Sequence, residues 1–126
     1  MSLVLDSSVT LAWVYAAETT EEVSGVFAQV VESGAWVPSL WRLEVANALA
    51  DLGLLPVTVD PETDRQAWGA TAKLAARYRL TLYDAAYLEL ARRRCVPLAT
   101  LDSELRAAAT AEDVVLLGLI EPSLLL

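Results

Sequence analysis

Short apolar runs alternate along the chain with stretches whose apolar residues recur every three or four positions, the mark of strands interleaved with helices. SLVLD opens as a strand ending in an acid, and SSVTLAWVYAAE continues at helical spacing. TTEEVSGVFAQVVESG predicts a second helix, with Thr19 or Thr20 as N-cap, acids in the first turn and Gly34 as its stop. AWVPSL reads as a buried strand, LWRLEVANALADLG as a helix ending at Gly53, and PVTVD as a short strand. DPETDRQAWGATAKLAARYRL, opened by Pro61, predicts the longest helix, about five turns. TLYDAAYLELARRR gives another, with Thr81 and Asp84 spaced like a capping box. CVPLATLD is a strand ending in an acid, DSELRAAATAE a short helix with Asp102 at its N-cap, and VVLLGLI a last strand. This alternation predicts an α/β fold with a parallel sheet covered on both faces.

A length of 126 residues fits one domain, 1–126, and an apolar fraction of 56% supplies a core with some surface left for an interface. No apolar run reaches the roughly 18 residues of a membrane helix, and MSLVLDSSV lacks the basic start of a signal peptide, so a soluble, cytoplasmic protein is expected. The chain has no histidine and one cysteine, Cys95, which excludes Ser-His-Asp and Cys-His catalysis and Cys/His zinc sites. The five glycines do not have the spacing of a phosphate loop. Any chemistry must run on carboxylates, hydroxyls, amides and arginine.

The acids stand in suggestive places. Ligands of an open parallel sheet collect at the carboxyl ends of strands where the strand order reverses. Asp6 and Asp102 both end strands, and they meet if those strands are neighbours. Asp84 in the first turn of its helix, and Glu44 inside an apolar helix, then point at the same crevice, with Asn47 one turn beyond Glu44. Four close carboxylates need a compensating proton or cation, and a hard divalent ion such as Mg²⁺ or Mn²⁺ suits oxygen donors. Each acid also has a purely structural use: Asp6 and Asp102 as helix caps, Asp84 as a partner of the helix dipole, and Glu44, Asn47 and Asp51 as a solvent-facing stripe.

Asp6-x-Ser8 after the first strand, Glu44-x-x-Asn47, YDAAYLELA around Asp84, and Thr100-Leu-Asp102 after an apolar strand occur in the order of the motifs of PIN-domain ribonucleases. LDSSVTLAW, EVANAL, YDAAYLELA and LATLD together most resemble the VapC toxins of toxin–antitoxin pairs. The resemblance covers nearly the whole chain. It implies a three-layer α/β/α sandwich with a central, mostly parallel sheet, and an Mg²⁺- or Mn²⁺-dependent endoribonuclease. Asp6, Glu44, Asp84 and Asp102 would hold the metal, supported by Ser8, Asn47 and Thr100. It further implies a homodimer, an RNA substrate of the tRNA or rRNA class, and a cognate VapB-type antitoxin lying across the site. The sequence departs from the pattern where ALADLG runs almost directly into PVTVD, since similar toxins insert a second helix there.

Charge adds one expectation. The net charge is −8, yet residues 65–106 carry eight bases against four acids. Arg77, Arg79 and Arg92 to Arg94 are therefore the candidates for gripping an RNA backbone, against the plain alternative of solvated helix faces. Trp13, Trp36, Trp41 and Trp68 are expected in the core or an interface, and Cys95 as a small buried residue at a strand start. Two other classes compete: a catalytically inactive PIN-like scaffold, and a phospho-acceptor receiver domain. The second is weakened by a single acid after the first strand and by Lys73 lying inside a helix.

Overall fold

The computed structural model describes residues 2–13, 20–45 and 56–118. Five strands form one all-parallel sheet: β1 (Val4–Leu5), β2 (Ala35–Val37), β3 (Val57–Val59), β4 (Leu98–Ala99) and β5 (Leu116–Leu117), in the order β3-β2-β1-β4-β5. The strands are short because only their middles need to cross the core. The side chains of Val4, Leu5, Leu98 and Ala99 are fully enclosed, as expected for a parallel sheet covered by helices. Register sets Val4 opposite both Trp36 and Leu98, and Leu5 opposite Ala99.

The chain passes from β1 outward through β2 to β3, then returns across the sheet to β4 on the other side of β1. With right-handed crossovers, that reversal puts α1 (Ser7–Ala12), α2 (Glu21–Ser33) and α3 (Trp41–Val45) on one face. The other face takes α4 (Thr63–Gln66), α5 (Ala70–Tyr78), α6 (Leu82–Arg94) and α7 (Ser103–Ala111). The result is a three-layer α/β/α sandwich. The helix α6 packs on β1 and β4, with α5 and α7 beside it. Seven of its thirteen residues, from Ala85 to Ala91, are buried. Among the described residues, no helix is long and apolar enough to cross a membrane.

Local chemistry fixes the element ends. Thr20 and Thr81 cap α2 and α6 by accepting from the amides of Val23 and Asp84. Gly34 closes α2 at φ 77, and a Cβ there would stand 3.0 Å from the Pro56 carbonyl oxygen, so only glycine joins α2 to β2 in this way.

Three expectations are corrected. The long helix after Pro61 is two, α4 and α5, broken at residues 67–69, because Gly69 takes a non-helical conformation (ψ −106) and glycine is a poor helix former. Trp68, at that break, is 93% exposed, which removes the core reading and leaves the interface one untouched. Cys95 is exposed too: α6 runs through Arg94, Cys95 turns left-handed (φ 54) to end it, and the strand begins only at Leu98. Of the predicted helix 40–53, the part after Val45 lies outside the described residues, as do Asn47, Asp51 and the departure before PVTVD.

Candidate functional site

The reversal of strand order falls between β1 and β4, and their carboxyl ends carry Asp6 and the Thr100–Asp102 turn. Parallel pairing in register brings these distant segments level. Asp6 is 3% exposed and is held from two sides. Its Oδ2 accepts from the Ser8 hydroxyl at 2.7 Å and from the Thr100 hydroxyl at 2.6 Å. Ser8 Oγ also takes the Leu101 amide at 2.9 Å, and Thr100 Oγ1 takes the Asp102 amide at 3.1 Å. The two hydroxyls thus staple the end of β1 to the end of β4. Arg106, from α7, secures the turn from behind by donating to the carbonyls of Thr100 (2.7 Å) and Leu117 (3.0 Å).

Asp102 caps α7, its Oδ1 taking the amides of Glu104 and Leu105 at 2.9 and 3.0 Å. Among the described residues no donor reaches its Oδ2. Asp6 precedes α1 without capping it by its side chain. Asp84 enters from the first turn of α6, which starts at this end of the sheet. Glu44 comes from α3. Of the two readings of Glu44, enclosed in an apolar helix or on a solvent-facing stripe, the described part of α3 fits the second: Trp41 and Val45 are buried while Leu43 and Glu44 face outward. Glu44 is nonetheless tethered: the Tyr87 hydroxyl donates to Oε1, and the Ser7 hydroxyl to Oε2 at 3.2 Å.

Electrostatics tie the four acids together. Burial, then the charges of Asp102, Asp6 and Glu44, push the Asp84 carboxyl up to about 6. Burial raises Asp6 as well; the Thr100 and Ser8 hydroxyls pull it back, and Asp102 adds to the rise. Tyr87 is raised, first by burial and then by Glu44, so its phenol keeps its proton and remains a donor.

The donor set, carboxylate oxygens backed by hydroxyls, is that of a hard divalent cation, and the mutual repulsion is what such an ion would relieve. Among the described residues, no three acidic side chains converge closely enough to hold one ion as they stand. Two of the acids are held by neighbours: Glu44 by the hydroxyls of Tyr87 and Ser7, and Asp102 Oδ1 by the amides of α7.

The arginines expected to grip RNA are largely committed elsewhere. Arg93 binds Asp60 through two nitrogens at 3.0 and 2.8 Å, and Glu89 at 2.8 and 2.9 Å. Arg94 donates to Asp60 at 3.0 Å, its guanidinium 3.5 Å over the Trp36 ring. Burial would raise Asp60, but Arg93, Thr63 and Arg94 outweigh it and hold the carboxyl at about 2. Arg93 and Arg94 therefore bind the last turn of α6 to the end of β3, about 15 Å along the helix from Asp84. Arg77 and Arg92 share Glu112 at 2.9 and 3.4 Å as partly exposed pairs. Arg79, the left-handed cap of α5, is exposed and has no ion pair among the described residues.

Tyr87, Ser7 and Arg106 were not singled out for the site in the sequence. For Tyr87 a signal existed, since it lies three residues after Asp84 on the same helix face.

No family model matches the chain, and no curated protein matches it significantly. Among solved structures it is similar to the crystal structure of PAE2754 from Pyrobaculum aerophilum, with 22% identity, a TM-score of 0.55, and coverage of 86% of this chain and 84% of that one. That likeness shows the α/β fold.

Proposed function

We propose that this chain is a metal-dependent endoribonuclease of the PIN-domain class, similar to VapC toxins, with Asp6, Glu44, Asp84 and Asp102 as its metal-holding acids. The observation that carries the reading is the gathering of four carboxylates from four chain segments around the sheet's reversal point, where burial and then the charges of Asp102, Asp6 and Glu44 push Asp84 to about 6. A structural protein gains nothing from that repulsion, whereas a site for Mg²⁺ or Mn²⁺ depends on it.

A bound divalent ion would supply an acidified water and charge neutralisation for attack on an RNA phosphodiester. The chain's own residues do the rest. Ser8 and Thr100 hold Asp6 in one orientation, Asp102 keeps one oxygen on α7 and, among the described residues, the other open, and Tyr87 and Ser7 fix Glu44. Arg79 is the remaining candidate for a phosphate contact. Leu43 and Tyr83, 82% and 66% exposed, line with Leu40 and Glu44 a hollow of about 360 Å³ beside the acids. That surface suits the apolar segment of a VapB-type antitoxin, or a second copy in a homodimer.

The test is calorimetric titration of Mn²⁺ into the wild type and Asp6→Ala, followed by cleavage assays on structured RNAs of the translation machinery. Wild type is expected to bind Mn²⁺ and cleave, while Asp6→Ala does neither and keeps its fold. Absence of Mn²⁺ binding to the wild type would leave an inactive scaffold as the reading.

A further inference from the structure

Glu44 is the one acid of the four carried on an exposed side chain, from a helix of only five described residues. An exposed glutamate has three rotatable bonds and substantial rotamer entropy to lose on ligation. It is caught from outside its own element. Tyr87 is fully buried in α6, one turn beyond Asp84, and its hydroxyl reaches Glu44 Oε1. Ser7, the residue after Asp6, holds Oε2 at 3.2 Å. The ring of Tyr87 is locked by the core, so the position of its hydroxyl is set by α6 itself.

We propose that Tyr87 is a positioning residue for Glu44: α6 presents Asp84 directly and Glu44 through the Tyr87 hydroxyl, so that one rigid helix sets two of the four acids. This inference rests on the metal-site reading above. Without the hydroxyl, Ser7 alone among the described residues holds Glu44, and a rotamer-averaged carboxylate replaces a fixed one. Removing such an outer partner of a metal ligand weakens binding about tenfold or more.

Tyr87→Phe keeps the ring and deletes only the donor, so the core is retained. The experiment is Mn²⁺ titration of wild type, Asp6→Ala, Tyr87→Phe, Glu44→Ala and the double variant Tyr87→Phe/Glu44→Ala, with melting curves of each metal-free protein. Tyr87→Phe is expected to bind Mn²⁺ about tenfold more weakly than wild type, and to cause no further loss in the Glu44→Ala background. A Tyr87 that merely packs would leave Mn²⁺ affinity at the wild-type value in the phenylalanine variant. A loss of equal size with and without Glu44 would show that the tyrosine acts by another route. Either result overturns the proposal while wild type still binds and Asp6→Ala does not. Failure of wild type to bind Mn²⁺ overturns the metal reading itself, and this inference with it.

Discussion

At pH 7 Asp84 ionises against its burial and against the charges of Asp102, Asp6 and Glu44, and removing its charge should stabilise the metal-free protein. Its carboxyl is lifted from an ordinary 3.8 to about 6, so between those values the folded chain binds a proton that the unfolded chain does not. Stability contributed by this group therefore rises as pH falls through about 6, and the penalty is complete above it. Asp84→Asn is expected to raise the metal-free Tm at pH 7.5 by roughly 4 °C, about 1 kcal/mol after screening, with the gain fading to nothing near pH 4. Melting curves across that range decide it; an equal gain at pH 4 would show that the effect is not electrostatic. The four acids were readable in sequence because each stands at a strand end, a helix start or amid apolar neighbours. Ser8 and Thr100 were named only through the resemblance to the PIN-domain motifs, since a hydroxyl near a strand end carries no signal of its own. Tyr87 was hidden because a tyrosine in an apolar helix reads as core, which it also is. Arg93 and Arg94 looked like free cations since their partner, Asp60, lies more than thirty residues away and no local pattern announces the pairing.

Helix ends were the part of the local structure best fixed by residue chemistry. Thr20, Thr81 and Asp102 cap as their spacing predicted. The break within 61–80 was missed since apolar positions keep helical spacing on both sides of Gly69. Glycines at two places in one element give opposite expectations. Gly34 combines a positive φ of 77 with an extended ψ of 178, a region essentially reserved for glycine, and is backed by the Pro56 carbonyl, so Gly34→Ala should cost about 1–3 kcal/mol. Gly25 lies inside α2 with open space around it, and Gly25→Ala should stabilise by up to about 1 kcal/mol. Urea denaturation of both variants checks the pair; a Gly34→Ala protein as stable as wild type would show that the α2–β2 junction can relax.

Across the whole molecule, alternation of period was enough to give the α/β class, and the structure makes the sheet wholly parallel. The strand order was not legible from pattern, because every apolar run looks equally fit for the centre; only the need for Asp6 to meet Asp102 suggested that β1 and β4 are neighbours. Under the proposed function, Mn²⁺ at a hundred times its Kd should stabilise the wild type by about 2.7 kcal/mol, since it binds only the folded chain, and leave Asp6→Ala unmoved. Thermal melts with and without the ion read this directly, and equal shifts in the two proteins would place the ion elsewhere.

The pairing of Val4 with Leu98 spans 94 residues at the centre of the sheet. Closing so long a loop is a slow, late event in folding. In a chain emerging from the ribosome, Asp6 meets Thr100 only after everything through β4 has been released. Until then the acids are strung along an open polymer and do not feel one another. Under the proposed reading, a nascent copy stays inactive until the segment through β4 is free to pair with β1.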